Sequence, residues 1–244
     1  MRSYRLVGAY LTVVGLALTL TGLLLTGLII HEAMGISCLI LGVTLLITPV
    51  EERWRAVSRG LAMMLMDSYA NLERLLKELD LRGPAVYVRV GEPPSVRAVV
   101  ARGRVNPPRG DAGLLHPRED ALLLVPPGRT ILAYARDRGL TPGEGGFEVL
   151  EQLLTTCLVE VSEVCRGVMV KLAGDELVVS IEEPLGELLE VSEPFPRASE
   201  CLGSPYASAV AAAAAYVLGR GVQVAGEELR GNRLVVRLRL YEEG

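Results

Sequence analysis

Two uninterrupted apolar runs open the chain, and the remainder alternates short apolar segments with turn-forming residues. The first run, LVGAYLTVVGLALTLTGLLLTGLII, covers residues 6–30 without a charge. A helix of that length, at about 1.5 Å per residue, crosses a hydrocarbon core of about 30 Å. The second run, residues 33–50, is near the lower length limit and meets Pro49 at its end. His31 and Glu32 lie between the two. A secretory signal peptide would carry an apolar core of about 7–15 residues and then a small-residue cleavage site. The longer first run, with a second close behind it, points instead to a transmembrane helical hairpin over 1–50.

Within the first run Gly8, Gly15 and Gly22 recur every seven residues, each followed four residues later by Thr12, Thr19 or Thr26. Gly35 and Gly42 keep the same separation in the second run. Small residues on one helix face let backbones approach closely. Such a groove serves packing of the two spans on each other or packing between subunits. Threonine hydroxyls can bond back to their own helix carbonyls, so they do not require a pore, and the spans hold no Asp, Lys or Arg to carry ions.

Residues 51–81, EERWRAVSRGLAMMLMDSYANLERLLKELDL, read as a third, amphipathic helix. Leu61, Leu65, Ser68, Leu72, Leu75 and Leu79 follow spacings of 4, 3, 4, 3 and 4, a seven-residue repeat suited to packing on another helix. Either a self-associating stalk or a helix lying on its own domain fits that pattern. Trp54, between Arg53 and Arg55, suits a membrane headgroup region. Arg82-Gly83-Pro84 ends the helix.

The remaining pattern predicts an α+β domain with a mostly antiparallel sheet. AVYVRV and SVRAVVARG are strands around a Gly91–Pro94 turn, and ALLLVPP is a compact buried strand. Residues 103–119 lack periodicity and read as an ordered surface loop; Thr130 to Arg138 form a short helix or turn. Phe147 to Cys165 carry a helical apolar stripe, followed by GVMVKL and ELVVSIEE around Gly174-Asp175. After a Pro-rich connection at 184–205, Tyr206 to Leu218 form an alanine-rich helix, followed by GVQVAGEE and NRLVVRLRLYE. A helix-strand-strand unit is therefore expected twice. In LVVRLRLY, Arg237 and Arg239 fall on one face and Val236, Leu238 and Leu240 on the other, as in a sheet with helices on one side. The organisation expected is a hairpin at 1–50, an amphipathic linker helix at 51–82 and a soluble domain at 83–244.

Charge refines this picture. Arg2 and Arg5 precede the first span, Arg53, Arg55 and Arg59 follow the second, and the connection carries no Lys or Arg. The excess of cations on the side that stays in the cytoplasm then predicts a cell-membrane protein with two spans and both termini cytoplasmic. Without Arg2, Arg5 and Glu32, the 25 basic and 29 acidic residues leave a net charge of −5. Phosphate binding needs a concentrated basic surface, so no nucleic-acid partner is expected. Cys38, Cys157, Cys165 and Cys201 show no metal-ligand or disulfide-framework spacing, and no metal or cofactor is expected.

Candidate chemistry is sparse. His116 is the single histidine beyond the spans; a catalytic role would need Glu119 or Asp120 as partner, and a solvated loop histidine is the plainer reading. Pro126-Pro127-Gly128-Arg129 lacks the glycines and Lys-Ser/Thr pair of a phosphate loop, and Gly143-Glu144-Gly145-Gly146 reads as a connection. Glu182, Glu183, Glu187, Glu190 and Glu193 read as a solvated edge. In Glu200-Cys201-Leu202-Gly203-Ser204-Pro205-Tyr206, Ser204 can cap a helix whose first position is Pro205. Its free backbone donors can also receive an anion, which makes Ser204, Tyr206 and Cys201 the candidate ligand-binding residues. No catalytic set of nucleophile, base and electrophile emerges.

Arg129–Gly143 with Phe147–Leu158, and Cys201–Gly221 with its Gly203-Ser204-Pro205 and Leu218-Gly219-Arg220, resemble a group of uncharacterised archaeal membrane proteins. The resemblance implies two N-terminal spans and a cytoplasmic domain, and carries no activity. Gly203–Gly221 is also similar to small-ligand-binding domains related to vinyl reductases, but lacks the cysteine pattern that follows in those domains. The expected function is a non-enzymatic scaffold or assembly subunit, with the lipid bilayer and either itself or another membrane-associated protein as partners. A membrane-tethered small-ligand sensor, or a thiol-dependent or hydrolytic enzyme, is the alternative.

Overall fold

The computed structural model describes residues 2–26, 29–47, 50–91, 95–102, 115–116, 121–139 and 146–241. The chain forms two compact units, Met1–Gly60 and Leu61–Gly244. The division falls inside one continuous helix. The surface loop expected at 103–119, the 143–145 connection, Pro49 and most of the Gly91–Pro94 turn lie outside the described residues, apart from a two-residue strand inside the loop. The side chains of Arg2, Arg5, Arg53, Trp54, Arg55 and His116 lie outside them too.

In the first unit, α1 (Arg2–Thr21) ends in a π-helical turn at Gly22–Thr26, and α2 (Ile29–Ile47) returns. Glycine decides their contact. A Cβ placed on Gly15 would stand 2.6 Å from the Leu39 nitrogen and 2.8 Å from the Gly35 carbonyl oxygen. One on Gly42 would stand 2.8 Å from the Gly8 oxygen, and Gly22 lies against Glu32. Gly8, Gly15, Gly22, Gly35 and Gly42 therefore share one seam within the chain. Thr12 and Thr19 donate to the carbonyls of Gly8 and Gly15, each at 2.8 Å, so their hydroxyls need no other acceptor in an apolar setting. The faces turned away from the seam are apolar, with Leu6, Val13, Leu16, Leu20, Met34, Ile40 and Ile47 exposed. Leu6–Leu24 and Ile30–Ile47 are long and apolar enough to span a bilayer, and the protein is membrane-associated through them.

The second unit takes in α3 (Val50–Glu78) from Leu61 onward. Its eight-stranded sheet comprises β1 (Val86–Val90), β2 (Ser95–Ala101), β3 (Leu115–His116), β4 (Ala121–Leu124), β5 (Gly167–Ala173), β6 (Glu176–Glu182), β7 (Gly221–Arg230) and β8 (Arg233–Tyr241). The order is β3-β4-β2-β1-β7-β8-β6-β5, and neighbours run antiparallel. The helices are α4 (Arg129–Asp137), α5 (Phe147–Leu154) with a π-helical continuation to Val161, α6 (Gly186–Leu189), α7 (Pro196–Leu202) and α8 (Pro205–Leu218). Both helix-strand-strand units are present, α5-β5-β6 and α8-β7-β8. The connection at 184–205 is not merely Pro-rich loop, since it holds α6 and α7. These are too short to show a period, and Pro196 occupies the first turn of α7.

The core centres on α8. Thirteen of its residues, Pro205 to Val217, are buried. Ala207 to Ala215 present almost no bulk, so backbones close in: a Cβ on Gly128, which has φ +90°, would meet the Cα of Ala209 at 2.6 Å. Leu177, Val179, Ile181, Leu234, Val236 and Leu238 line the same core from the sheet. Arg237 and Arg239 stay on the exposed side, as the alternation requires. Hydropathy alone would count Pro196–Leu218 as a third span, but that segment is 94% buried inside the domain. A helix apolar on every side needs a covering on every side, and here protein supplies it.

Gly15→Leu is expected to cost the hairpin about 1–3 kcal/mol through overpacking. Gly60→Ala, in a mid-helix position with nothing within 4 Å, should gain about 0.5–1 kcal/mol. Denaturing-detergent titration of the purified protein measures both, and an unmoved midpoint for Gly15→Leu contradicts the seam.

Candidate functional site

The junction between α7 and α8 holds the three residues offered as a ligand site. Gly203 adopts φ +76° and ψ −165°, and a Cβ there would strike the Cβ of Ala207 at 2.8 Å, so the bend requires glycine. Ser204 caps α8: its Oγ accepts from the Ala207 N–H at 3.2 Å, with Pro205 next. A further donor at this helix start, the Ser204 N–H, is taken by Glu227 Oε1 at 2.9 Å. A carboxylate of the chain itself thus occupies the position an anionic ligand would take.

Glu227 reaches this place because β7 carries a bulge. Val224 pairs with Leu238 and Gly226 with Arg237, leaving Ala225 as the extra residue. The shift reverses the faces beyond it, so Glu227, opposite buried Val236, points toward the helices. Two tyrosines complete the junction. Tyr69 donates to the Gly203 carbonyl at 3.0 Å; Tyr87 makes hydrogen bonds with the Leu202 carbonyl at 3.0 Å and Ser208 Oγ at 2.8 Å. Burial holds both phenols well above the ordinary tyrosine range, so they act as neutral donors.

Tyr206 is likewise interior: its hydroxyl donates to the Val164 carbonyl at 2.7 Å and accepts the Leu185 N–H at 2.9 Å. Cys201 is 1% exposed, and burial, with Glu200 and Glu73 nearby, pushes its thiol up to about 12. Burial also raises Cys157 and Cys165 to about 11. A thiol is a nucleophile as its thiolate, and none of these three holds one at neutral pH. Among the described residues no group of three His, Cys, Asp or Glu is placed to hold a metal ion.

On α3, Ala62, Tyr69 and Leu76 form the buried row, with Leu65 and Leu72 half-buried beside it and Leu79, just past the helix end, half-buried too. Leu61 and Leu75 of the leucine repeat stay outside, 48% and 37% exposed, with Met63 and Met64. The helix is held to the domain by Glu73, whose Oε2 accepts the Ala198 N–H at 2.8 Å and whose Oε1 pairs with Lys77 at 3.0 Å. Sequence reasoning missed Glu73 and Glu227, because what identifies each is a contact more than twenty residues away.

A cleft of about 370 Å³ lies along α5 and its π-helical continuation, beside β5. Phe147, Glu148, Glu151, Gln152, Glu160 and Val170 are among its walls, and among the described residues no lysine or arginine lines it. Glu151 Oε2 accepts the Val170 N–H at 2.6 Å. The sequence signalled this helix only as an apolar stripe. Its acidic outer face belongs to the same period and was legible there.

With this geometry in hand, the family model described as domain of unknown function (DUF7982) matches residues 1–240. No curated protein and no solved structure shows significant similarity to the chain.

Burial opposes ionisation of Glu73, but the Ala198 N–H, Lys77 and the Arg197 N–H outweigh it and hold the carboxyl below its ordinary range. A group whose folded pKa is depressed stabilises the fold fully above its unfolded value and loses that contribution as pH falls through the folded one. Denaturant midpoints of the native protein and Glu73→Gln are expected to differ most near neutrality and converge in acid; a constant difference refutes the assignment. Cys157, Cys165 and Cys201 should resist iodoacetamide in the folded protein and react on unfolding, as read by mass spectrometry. Rapid labelling of folded Cys201 would contradict its enclosure.

Proposed function

We propose that this chain, which belongs to the DUF7982 family, is a membrane-anchored, non-enzymatic scaffold or assembly subunit. Its globular domain works on the cytoplasmic side and contacts a second copy or another membrane-associated protein. The observation that carries this reading is the outer face of α3. After Ala62, Tyr69 and Leu76 are buried, the helix still exposes Leu61, Met64 and Leu75 along one side, with Met64 73% exposed. An apolar helix face left to water favours a partner, and the seven-residue spacing suits a second helix.

The orientation rests on the arginines. Arg2 and Arg5 lie at the start of α1, ahead of its apolar stretch, and Arg53, Arg55 and Arg59 follow α2, with no Lys or Arg in the connection. The small-ligand and thiol-enzyme alternatives would require Ser204, Tyr206 or Cys201 to leave enclosed positions, and the hydroxyls of Ser204 and Tyr206 are already engaged there. The cleft beside β5 is open, and among the described residues its three carboxylates have the hydroxyls of Thr155 and Thr156 beside them but no histidine or cysteine in the lining and no metal ligand set.

Light scattering in mild detergent tests the association. The native protein should exceed the 26.3 kDa of one chain, and Leu61→Glu with Leu75→Glu should return it to that mass. Protease added outside intact cells should spare the domain. A single-chain mass for the native protein, with no partner cross-linked to α3 in membranes, removes the reading.

A further inference from the structure

We infer that the β5 edge of the sheet is a docking site for an extended, cationic segment of a partner protein, which adds to the sheet as a ninth strand. The inference names a partner chemistry for the interaction domain proposed above and rests on that reading. Among the described residues β5 is the last strand in the order and pairs on one side only, with β6 from Gly167 to Ala173. In an antiparallel ladder alternate residues turn their backbone groups outward. The Val170 N–H goes to a side chain rather than to β6, which sets the phase: Val168, Val170 and Leu172 face the open edge.

One of these edge donors is already covered, and the manner is informative. The Glu151 carboxylate, standing off α5, takes the Val170 N–H where the carbonyl of a neighbouring strand would be. It guards that position and leaves the edge groups of Val168 and Leu172 open. Around the edge lie apolar side chains that the fold does not bury: Leu172 at 54% exposure, Met169, Phe147 and Val161. The cleft beside β5 is walled by Glu148, Glu151 and Glu160, with no lysine or arginine among the described residues that line it. Its far wall is the π-helical stretch Thr155–Val161, a geometry that concentrates at functional positions.

Charge decides the occupant. A strand laid along β5 sends every second side chain toward the cleft, where a lysine or arginine meets three carboxylates. A second copy pairing through its own β5 would bring two such acidic clefts together, and an anionic lipid surface or nucleic acid would be repelled. The remaining chemistry is a basic protein strand, held by main-chain hydrogen bonds and selected by charge.

Labelled peptides added to the full-length protein in neutral detergent test this. A peptide alternating Lys and Val should bind about tenfold or more tightly than one alternating Glu and Val, or one alternating Lys and Pro that carries the charge without pairing as a strand. Binding should weaken in high salt and in Glu148→Gln with Glu160→Gln, neither of which holds the fold together. Hydrogen exchange at Val168 and Leu172 should slow on binding. Equal binding of the Lys-Pro peptide or of spermine reduces the site to charge alone and overturns the inference, as does absence of binding or indifference to the double substitution. Mass in detergent is measured separately, so a protein that associates through α3 but ignores the peptide sinks only this inference.

Discussion

Close backbone approach along α8 is the constraint on which the domain depends. The helix is enclosed over Pro205 to Val217, so it can exist only if its neighbours come near and its polar ends are satisfied inside the protein. Alanine provides the first condition. The second is served at the N-terminus by Ser204 Oγ and Glu227, and at the C-terminus by Gly219, whose N–H bonds the Ala215 carbonyl at 3.2 Å while its φ of +66° turns the chain out of the helix. Tyr69 and Tyr87 then fix the carbonyls of Gly203 and Leu202, tying α3 and β1 to the same junction. What looks from sequence like a ligand-binding helix start is the point where three parts of the fold are fastened together.

The same apolarity serves a different purpose in α1 and α2. By hydropathy α8 with α7 is comparable to the two N-terminal helices, and all three segments meet the length of a span. They differ in what covers them. The hairpin buries only a glycine seam and leaves leucines and isoleucines outward, as lipid permits. The glycines of α1 and α2 are confined to one face, with larger residues elsewhere, whereas α8 is small nearly all round. That distinction was legible in the sequence, as were the two helix-strand-strand units, because periodicity within one element reports its own faces directly.

What the sequence concealed is long-range. The leucine repeat of α3 gives the right spacing, yet the row buried deepest is Ala62, Tyr69 and Leu76, itself seven residues apart and displaced by one position from Leu61, Ser68 and Leu75. Ranking by hydrophobicity favours leucine over alanine and tyrosine. The packing instead chose the small residue and the ring whose hydroxyl reaches Gly203. Glu227 was hidden for a related reason: one extra residue at Ala225 reverses which side of β7 faces the core, and no local pattern announces a bulge of that kind. Glu73 reads as a solvated helix glutamate until Ala198, 125 residues away, is placed against it.

Membrane attachment changes what a weak contact can accomplish. A strand added at β5 gains a few main-chain hydrogen bonds, each modest in net terms because water is displaced from both partners, together with ionic contacts to partly exposed carboxylates that salt screens. Between freely diffusing molecules such an interface would be marginal. A domain tethered by its hairpin meets a tethered partner at the raised effective concentration of a shared surface, so the first attachment lowers the cost of the second. Glu151 fits this regime: it covers one edge donor closely enough to discourage indiscriminate strand pairing, and a carbonyl offered by a basic strand can replace it. An edge guarded by a single removable carboxylate, beside a cleft that rejects anions, is better suited to exchange of partners than to permanent closure.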